Sequence, residues 1–530
     1  MRELSADIVI VGGGVGGVAA ALAACEGGAC VVMTDPYRWI GGQFTSQAVP
    51  PDEHPWIETH GATRRYRAFR EAVREHYRRY YPLTEAARRD PVLNPGGGWV
   101  SPLCHEPRVA HAVLRAMLLP HETAGRLTIL TAAVPIAAER DGDHLLSVVV
   151  EAEGDRLALT APYFLEATET GDLLALAGIG HVTGTESQAE TGEPSAPETG
   201  DTLDMQGVTL VFALDHRDGD HTISRPDDYD RWRDARIAGW PHRLLDWRYP
   251  NPRTLVPSSP RFRPNVADEH LQHDEGVRRP DLWSYRRILD RSKFEDRFFA
   301  SDVSLINWPM NDYVGGAVFG VQNAAVHLAA ARALSLSLLY WLQTEAERPD
   351  GGCGYPGLAL RPDITGTADG LAQATYIREG RRLRAMTTIR EQDLSVQVRG
   401  EAGAVRYRDS VGTGAYRIDL HPTTGGANYL DLASLPFEIP LGALIGPDAR
   451  NVIAAGKAIG TTHITNGCYR LHPVEWSIGE AAGSLAAFCL AGGYDPVAVW
   501  ENNGRLADFQ LLLARAGTDL HWHGDERLPG

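Results

Sequence analysis

Residues 7–11, Asp-Ile-Val-Ile-Val, run directly into Gly12-Gly13-Gly14-Val15-Gly16-Gly17, and an alanine-rich stretch over 18–26 follows. An apolar, β-branched run that meets so many glycines and then a helix former has few folds open to it. The GxGxxG spacing gives each glycine a task. Gly12 permits the tight turn, Gly14 lets backbone approach a pyrophosphate, and Gly17, beside Gly16, lets helix and strand pack closely. A second strand expected over 30–33 completes a βαβ unit, whose helix N-terminus offers free amides to phosphates. Asp35 stands close to the roughly 20 residues beyond the last glycine where a ribose-binding carboxylate is expected. A glycine-rich turn without a ligand is the plainer reading, and it leaves the coincidence of strand, glycines, helix, second strand and acid unexplained.

With 530 residues the chain exceeds one ordinary core, so a large nucleotide-binding domain with a second unit inserted is expected. Hydrophobic residues make up 43% and charged residues 22%, the balance of a globular protein, and no apolar run is read as reaching a membrane-spanning ~18–20 residues. The first strand begins almost at Met1, which leaves no room for a signal segment and predicts a cytoplasmic location. Six cysteines without CxxC or CxxH spacing indicate neither an iron-sulfur cluster nor a zinc site, so no metal is expected. Cys25 and Cys30 read as packed thiols. A net charge of -17 argues against a nucleic-acid partner. The arginine- and tyrosine-rich stretch 64–89 reads as a solvated amphipathic helix rather than a base-stacking surface.

Strands are also expected over 145–150, 163–167, 416–420 and 451–455, and apolar helices over 324–345 and 474–490. From about 205 to 302 the composition shifts to Asp, Arg, Pro, His and Trp, which suggests an irregular cap. Within and after it, the cluster 307–313 mixes an apolar wall with polar groups; Trp308, Asn311 and Tyr313, beside Asp312, are candidate substrate contacts. A buried turn with satisfied side chains is the equal alternative.

The segment 456–473 reads as a loop that presents two histidines, an arginine, an asparagine, a tyrosine and a cysteine between two apolar elements. His463 and His472 are candidates to exchange a proton with a substrate, since imidazole titrates near working pH. Arg470 is a candidate to bind a carboxylate, a carbonyl or a flavin. For either histidine alone, capping the loop is at least as good a reading. The N-terminus of the helix after Pro473 is suited to a negative charge on a reduced ring.

The N-terminal glycines, the Gly41-Gly42-Gln43 turn, Ala167-Thr168-Glu169-Thr170-Gly171-Asp172, Ala454-Ala455-Gly456, His463, Arg470 and Gly479-Glu480-Ala481-Ala482-Gly483 together resemble the family of FAD-dependent oxidoreductases distantly related to fumarate reductase flavoproteins and to the flavin subunit of heterodisulfide reductase. The likeness covers both halves of a flavin domain and thins across 205–415. It implies FAD as cofactor, with the pyrophosphate on Gly12, Gly14 and Gly17, the adenosine ribose on Asp35, and the segment from Gly456 through Glu480 to Gly483 against the isoalloxazine. It also places Gly42, Gln43, Thr45, Gln47 and Asp172 near the cofactor. The redox cysteines of the heterodisulfide reductase relatives are absent.

These expectations define an α/β protein with a Rossmann-like FAD-binding domain of the glutathione-reductase type. The flavin domain comprises 1–205 and 416–495, a substrate or cap domain comprises 206–415, and 496–530 form a tail. The expected activity is oxidation or dehydrogenation of a small molecule by hydride transfer to the flavin, with an electron acceptor the sequence does not name. The alternatives are a flavin monooxygenase and a non-catalytic or electron-transfer subunit. No membrane partner is expected, and a homo-oligomer is compatible.

Overall fold

The computed structural model describes residues 2–266, 281–524, 526 and 528. The stretch 267–280, within the expected cap, and the remaining positions of the expected tail lie outside the described residues.

Strand β1 (Ile8–Val11) is entirely buried, as a run of four β-branched residues at the centre of a parallel sheet must be. It feeds α1 (Val15–Glu26) and returns in β2 (Val31–Asp35), and the sheet is completed by β3 (Leu127–Thr131), β4 (Tyr163–Glu166) and β5 (Ala449–Ala454). The parallel order is β5-β4-β1-β2-β3, with Ile445–Gly446 added antiparallel beside β5. Residues more than 280 positions apart thus lie in register, Phe164 beside Val452 and Leu165 beside Ile453. The Rossmann-like α/β sheet expected from the opening residues is present.

Helix α2 (His472–Gly492) crosses against α1, and glycine decides how closely. A Cβ on Gly479 would collide with the backbone of Gly16, and one on Gly483 with the carbonyl of Ala20. A Cβ on Gly16 would in turn strike the Ala455 carbonyl just after β5. The fingerprint glycines Gly16 and Gly17 therefore serve helix packing, while Gly12, at φ +107° and tight against Ala167, makes the turn.

Between β3 and β4 the chain forms three antiparallel strands, Ala133–Asp141, His144–Ala152 and Asp155–Thr160, and Arg2–Ser5 pairs parallel to the last. A second, antiparallel sheet is built from Phe212–His216, Arg287–Leu289, Val303–Ile306 and Leu358–Leu360. Helix Ala324–Thr344 packs on the turn Pro309–Asn311 and on the strand pair Val208–Thr209 and Asp312–Tyr313, burying Leu334, Leu338 and Leu342.

Four expectations need correction. Helix Ala324–Thr344, with a mean hydropathy of 1.4 over its best window, is long and apolar enough by length and composition to cross a membrane, because alanine, leucine and serine leave Arg332 as its one charge; 44% of that window is buried in the protein. Helix Arg64–Tyr80 is not simply a solvated face: Arg70 and Arg74 are buried, held by Glu53 and Glu58 from the preceding segment. Cys25 is buried but Cys30 is exposed, because it sits beyond the helix on the sheet's rim. Residues 456–473 are not a loop throughout. Thr462 accepts a hydrogen bond from the Thr465 amide and starts a helix, His463–Tyr469.

Candidate functional site

Two cavities share one wall. The first, about 290 Å³, is lined by Gly12, Gly13 and Gly14, by Asp35, by Gly42 and Gln47, and by Glu169 and Asp172. The N-cap residue of α1, Gly14, has no side chain to cap the helix, whose first turn opens onto this space; Glu475 takes the Gly16 amide, and the other first-turn amides supply the partial positive charge that phosphates need. Asp35 is buried with Oδ1 accepting the Tyr37 amide at 2.7 Å, and Oδ2 lies where a Cβ on Gly13 would come within 2.8 Å. Burial raises the Asp35 pKa well above the ordinary carboxylate value, against the opposing hydrogen bond from Tyr37. Both polar atoms of the Gln47 amide are buried without a partner at this cavity. An orphaned amide at the wall fits a heteroaromatic ring with donors and acceptors on its edge, and the uncapped helix fits a diphosphate.

Other expected cofactor residues stand behind the wall. Gln43 donates to Glu475 at 2.5 Å and to the Arg470 carbonyl at 2.9 Å, and Thr45 donates to the Ile40 carbonyl. Glu475 opens α2, accepts the Gly16 amide at 3.4 Å, and has its pKa pushed up to about 7 by burial while Lys457 opposes. Lys457 pairs with Glu169. Gly456 lies next to these groups; Glu480 pairs with Arg65 and Gly483 packs on α1, and neither lines the cavity.

The second cavity, about 460 Å³, is lined by Asp52, Arg286, Trp308, Arg378, Asp419, His421 and Arg470 together with a group of tyrosines. The segment 374–378 lines both: Ala374, Thr375 and Ile377 face the first, Tyr376 and Arg378 the second. Arg470 donates to the Tyr376 hydroxyl at 2.7 Å and to Asp419, leaving Nε without a partner.

His421 is the histidine that reaches this space. Its Nδ1 lies 2.6 Å from Asp312 Oδ2, and its Nε2 is 3.8 Å from Asp419. Asp312 is fully buried, paired with Arg378 at 3.0 Å and bonded to Thr209. Burial opposes its charge, but Arg378 and then His421 outweigh that and hold its pKa down at about 2. A permanent carboxylate on Nδ1 fixes the proton there and leaves the Nε2 lone pair free. Burial and the nearby Arg378 lower the His421 pKa, against Asp312, so the ring is neutral at neutral pH.

The expected site residues divide accordingly. Arg470 and Trp308 line the second cavity. Asn311 and Tyr313 do not: Asn311 holds the turn by accepting the Trp308 amide at 2.9 Å, and the Tyr313 hydroxyl is 2.6 Å from His327. His463 lines neither cavity; its Nδ1 is 2.9 Å from Glu379, whose carboxylate outweighs burial and raises the imidazole pKa. His472 accepts the Asp52 amide at 3.1 Å on Nδ1, and burial drives its pKa well down. Asp52, Arg286, Arg378, Asp419 and His421 were not singled out by the sequence. Asp419 within the short strand expected at 416–420, and His421 directly after it, were the one local signal. Among the described residues no group of three or more His, Cys, Asp and Glu side chains is placed to hold a metal ion.

No curated protein sequence matches the chain. Solved structures with detectable likeness include L-proline dehydrogenase from P. horikoshii, 13% identical over 35% of this chain and 24% of that one, with a TM-score of 0.16. An anhydrotetracycline hydroxylase from Streptomyces rimosus is 11% identical over 97% of this chain and 68% of that one (TM-score 0.35). A flavocytochrome c3 fumarate reductase is 14% identical over 30% and 33% (TM-score 0.19). The chain spans less than half the length of the first of these structures. The family described as FAD dependent oxidoreductase matches residues 7–512, nearly the whole sequence, so this chain, with its uncapped glycine turn and buried Asp35, belongs to the FAD-dependent oxidoreductase family.

Proposed function

We propose that the chain dehydrogenates or oxidises a small organic molecule held in the second cavity, with His421 taking the proton the substrate gives up. The observation that carries this reading is the buried Asp312 at 2.6 Å from Nδ1 of His421, the histidine that lines the cavity among the described residues. FAD, when bound, accepts the two electrons and the hydrogen that leave the substrate. Gly12, Gly14, Asp35, Gly42, Gln47 and Asp172 hold the cofactor, with Gln43, Thr45, Gly456 and Glu475 shaping the wall behind it. Arg470 and Trp308 orient the substrate, Asp312 fixes the His421 tautomer, and the aromatic walls exclude water.

The three-stranded antiparallel connection between β3 and β4 supports the glutathione-reductase type of flavin domain, and the second sheet supports an inserted substrate domain over 206–415. A cytoplasmic location is part of this proposal, and the six free cysteines are in keeping with it. The test is His421→Gln beside His463→Gln. With a substrate found by anaerobic screening, the first should slow flavin reduction by about 10²-fold or more and the second should not. The opposite pattern would transfer the proton-accepting role to His463.

A further inference from the structure

We infer that the second cavity recognises a carboxylate, bound by Arg286, on a substrate whose body is aromatic or otherwise apolar; this rests on the reading of that cavity as the substrate site. Arg286 directly precedes the strand Arg287–Leu289 and is buried, yet its Nε and Nη1 have no hydrogen-bond partner. Among the described residues no carboxylate stands within ion-pair distance of it, whereas the cavity's other buried arginines are engaged, Arg378 by Asp312 and Arg470 by Asp419. A guanidinium taken out of water with two of its nitrogens unsatisfied and no counter-charge in reach is costly, and a planar acceptor that satisfies two of its N–H groups is the chemistry that relieves it.

The surroundings favour an incoming anion over an internal one. Asp52 lines the same cavity and feels Arg286, but it lies beyond ion-pair reach, and its pKa is raised by burial against the pull of Arg286 and Arg470. Arg470 Nε is a second unsatisfied donor in the same space. Lining the same cavity, Trp308, Tyr249, Tyr285, Tyr376, Tyr416 and Tyr429 supply flat apolar faces with polar edges. Such walls hold a ring or a branched chain while the arginine fixes the charged end. Tyr285 itself lies beneath the Arg286 guanidinium, 4.9 Å from ring centroid to Cζ, and keeps the fork in plane.

The experiment compares phenylacetate with its neutral isostere phenylacetamide by calorimetric titration of the FAD-loaded protein, without turnover. The wild type should bind phenylacetate about tenfold or more tightly than the amide. Arg286→Gln should bring the two within about twofold of each other, and Arg286→Lys should retain part of the preference. Acetate and succinate, titrated alongside, test whether the apolar body matters. Equal binding of acid and amide by the wild type, or no binding of any of the three acids at millimolar concentration, would overturn the inference. So would an Arg286→Gln protein that keeps the full preference, or one that loses only FAD affinity, which would make the cofactor the partner of Arg286. Failure of the oxidoreductase reading is seen separately. A flavin that a neutral alcohol or amine reduces, uncompeted by phenylacetate, refutes the carboxylate site alone; carboxylate binding without reduction by any compound refutes the reaction alone.

Discussion

Asp312→Asn separates the electrostatic role of the carboxylate from its shape. The side chain keeps its size, but Arg378, buried and 3.0 Å away, loses its counter-charge, and the His421 ring loses the acceptor that fixes its tautomer. Breaking a buried pair from one side costs about 3–5 kcal/mol. With about 2.1 cal/mol/K of unfolding entropy per residue over 530 residues, that corresponds to a fall in Tm of roughly 2.7–4.5 °C. The acid dependence of stability also changes. In the wild type the Asp312 contribution is complete above the ordinary carboxylate value of 3.8 and is lost as pH falls through about 2, and in the variant this contribution is gone.

Catalysis gives the sharper readout. His421 must be neutral to accept a proton, so wild-type flavin reduction should fall as pH drops through its lowered pKa. Asp312 is what holds that pKa up against burial and Arg378. Its removal moves the acid limb to still lower pH, while the plateau drops by about 10²–10⁴-fold because Nε2 no longer reliably carries the lone pair. Anaerobic stopped-flow reduction across pH measures both. An acid limb that stays in place with an unchanged plateau would refute the dyad, and a limb that moves upward would reverse the assigned electrostatics.

Asp35→Ala should weaken FAD binding while leaving the apoprotein folded, as measured by flavin release on dilution and by circular dichroism; unaltered FAD affinity removes its ribose role. Gly479→Ala forces a methyl group into the backbone of Gly16, and overpacking of about 1–3 kcal/mol should appear as a lower urea midpoint together with loss of flavin on purification. His463→Gln should lower thermal stability by leaving Glu379 with Arg382 alone as a charged partner among the described residues, yet leave the rate of flavin reduction within about twofold of wild type. A large loss of rate at unchanged stability would contradict that.

The parts of the fold readable in the sequence are those whose causes are local. A β-branched run, five nearby glycines and Asp35 state one turn geometry within 35 residues, and β1, α1 and β2 follow it. The Thr462 cap that turns 463–469 into a helix was equally local, but the density of polar residues there read as a loop. The second cavity is different in kind. Asp52, Arg286, Asp312, His421 and Arg470 come from five separate segments, and nothing in the neighbourhood of any one of them states that the others are near. Polar residues in 456–473 drew attention to His463 because they are adjacent in sequence. The fold instead turns His463 toward Glu379 and brings His421 to the cavity. Burial of Arg70 and Arg74 is hidden for the same reason, since Glu53 and Glu58 lie outside the helix and its periodicity.

The central claim is that substrate in the second cavity reduces the flavin directly. The measurement is the flavin absorbance of the purified protein, followed anaerobically as carboxylate-bearing alcohols and amines are added without any nicotinamide cofactor. The account predicts that one compound class bleaches the flavin and that His421→Gln slows the bleaching. A flavin that stays oxidised with every compound, and is reduced only when NADH or NADPH is supplied, would contradict it.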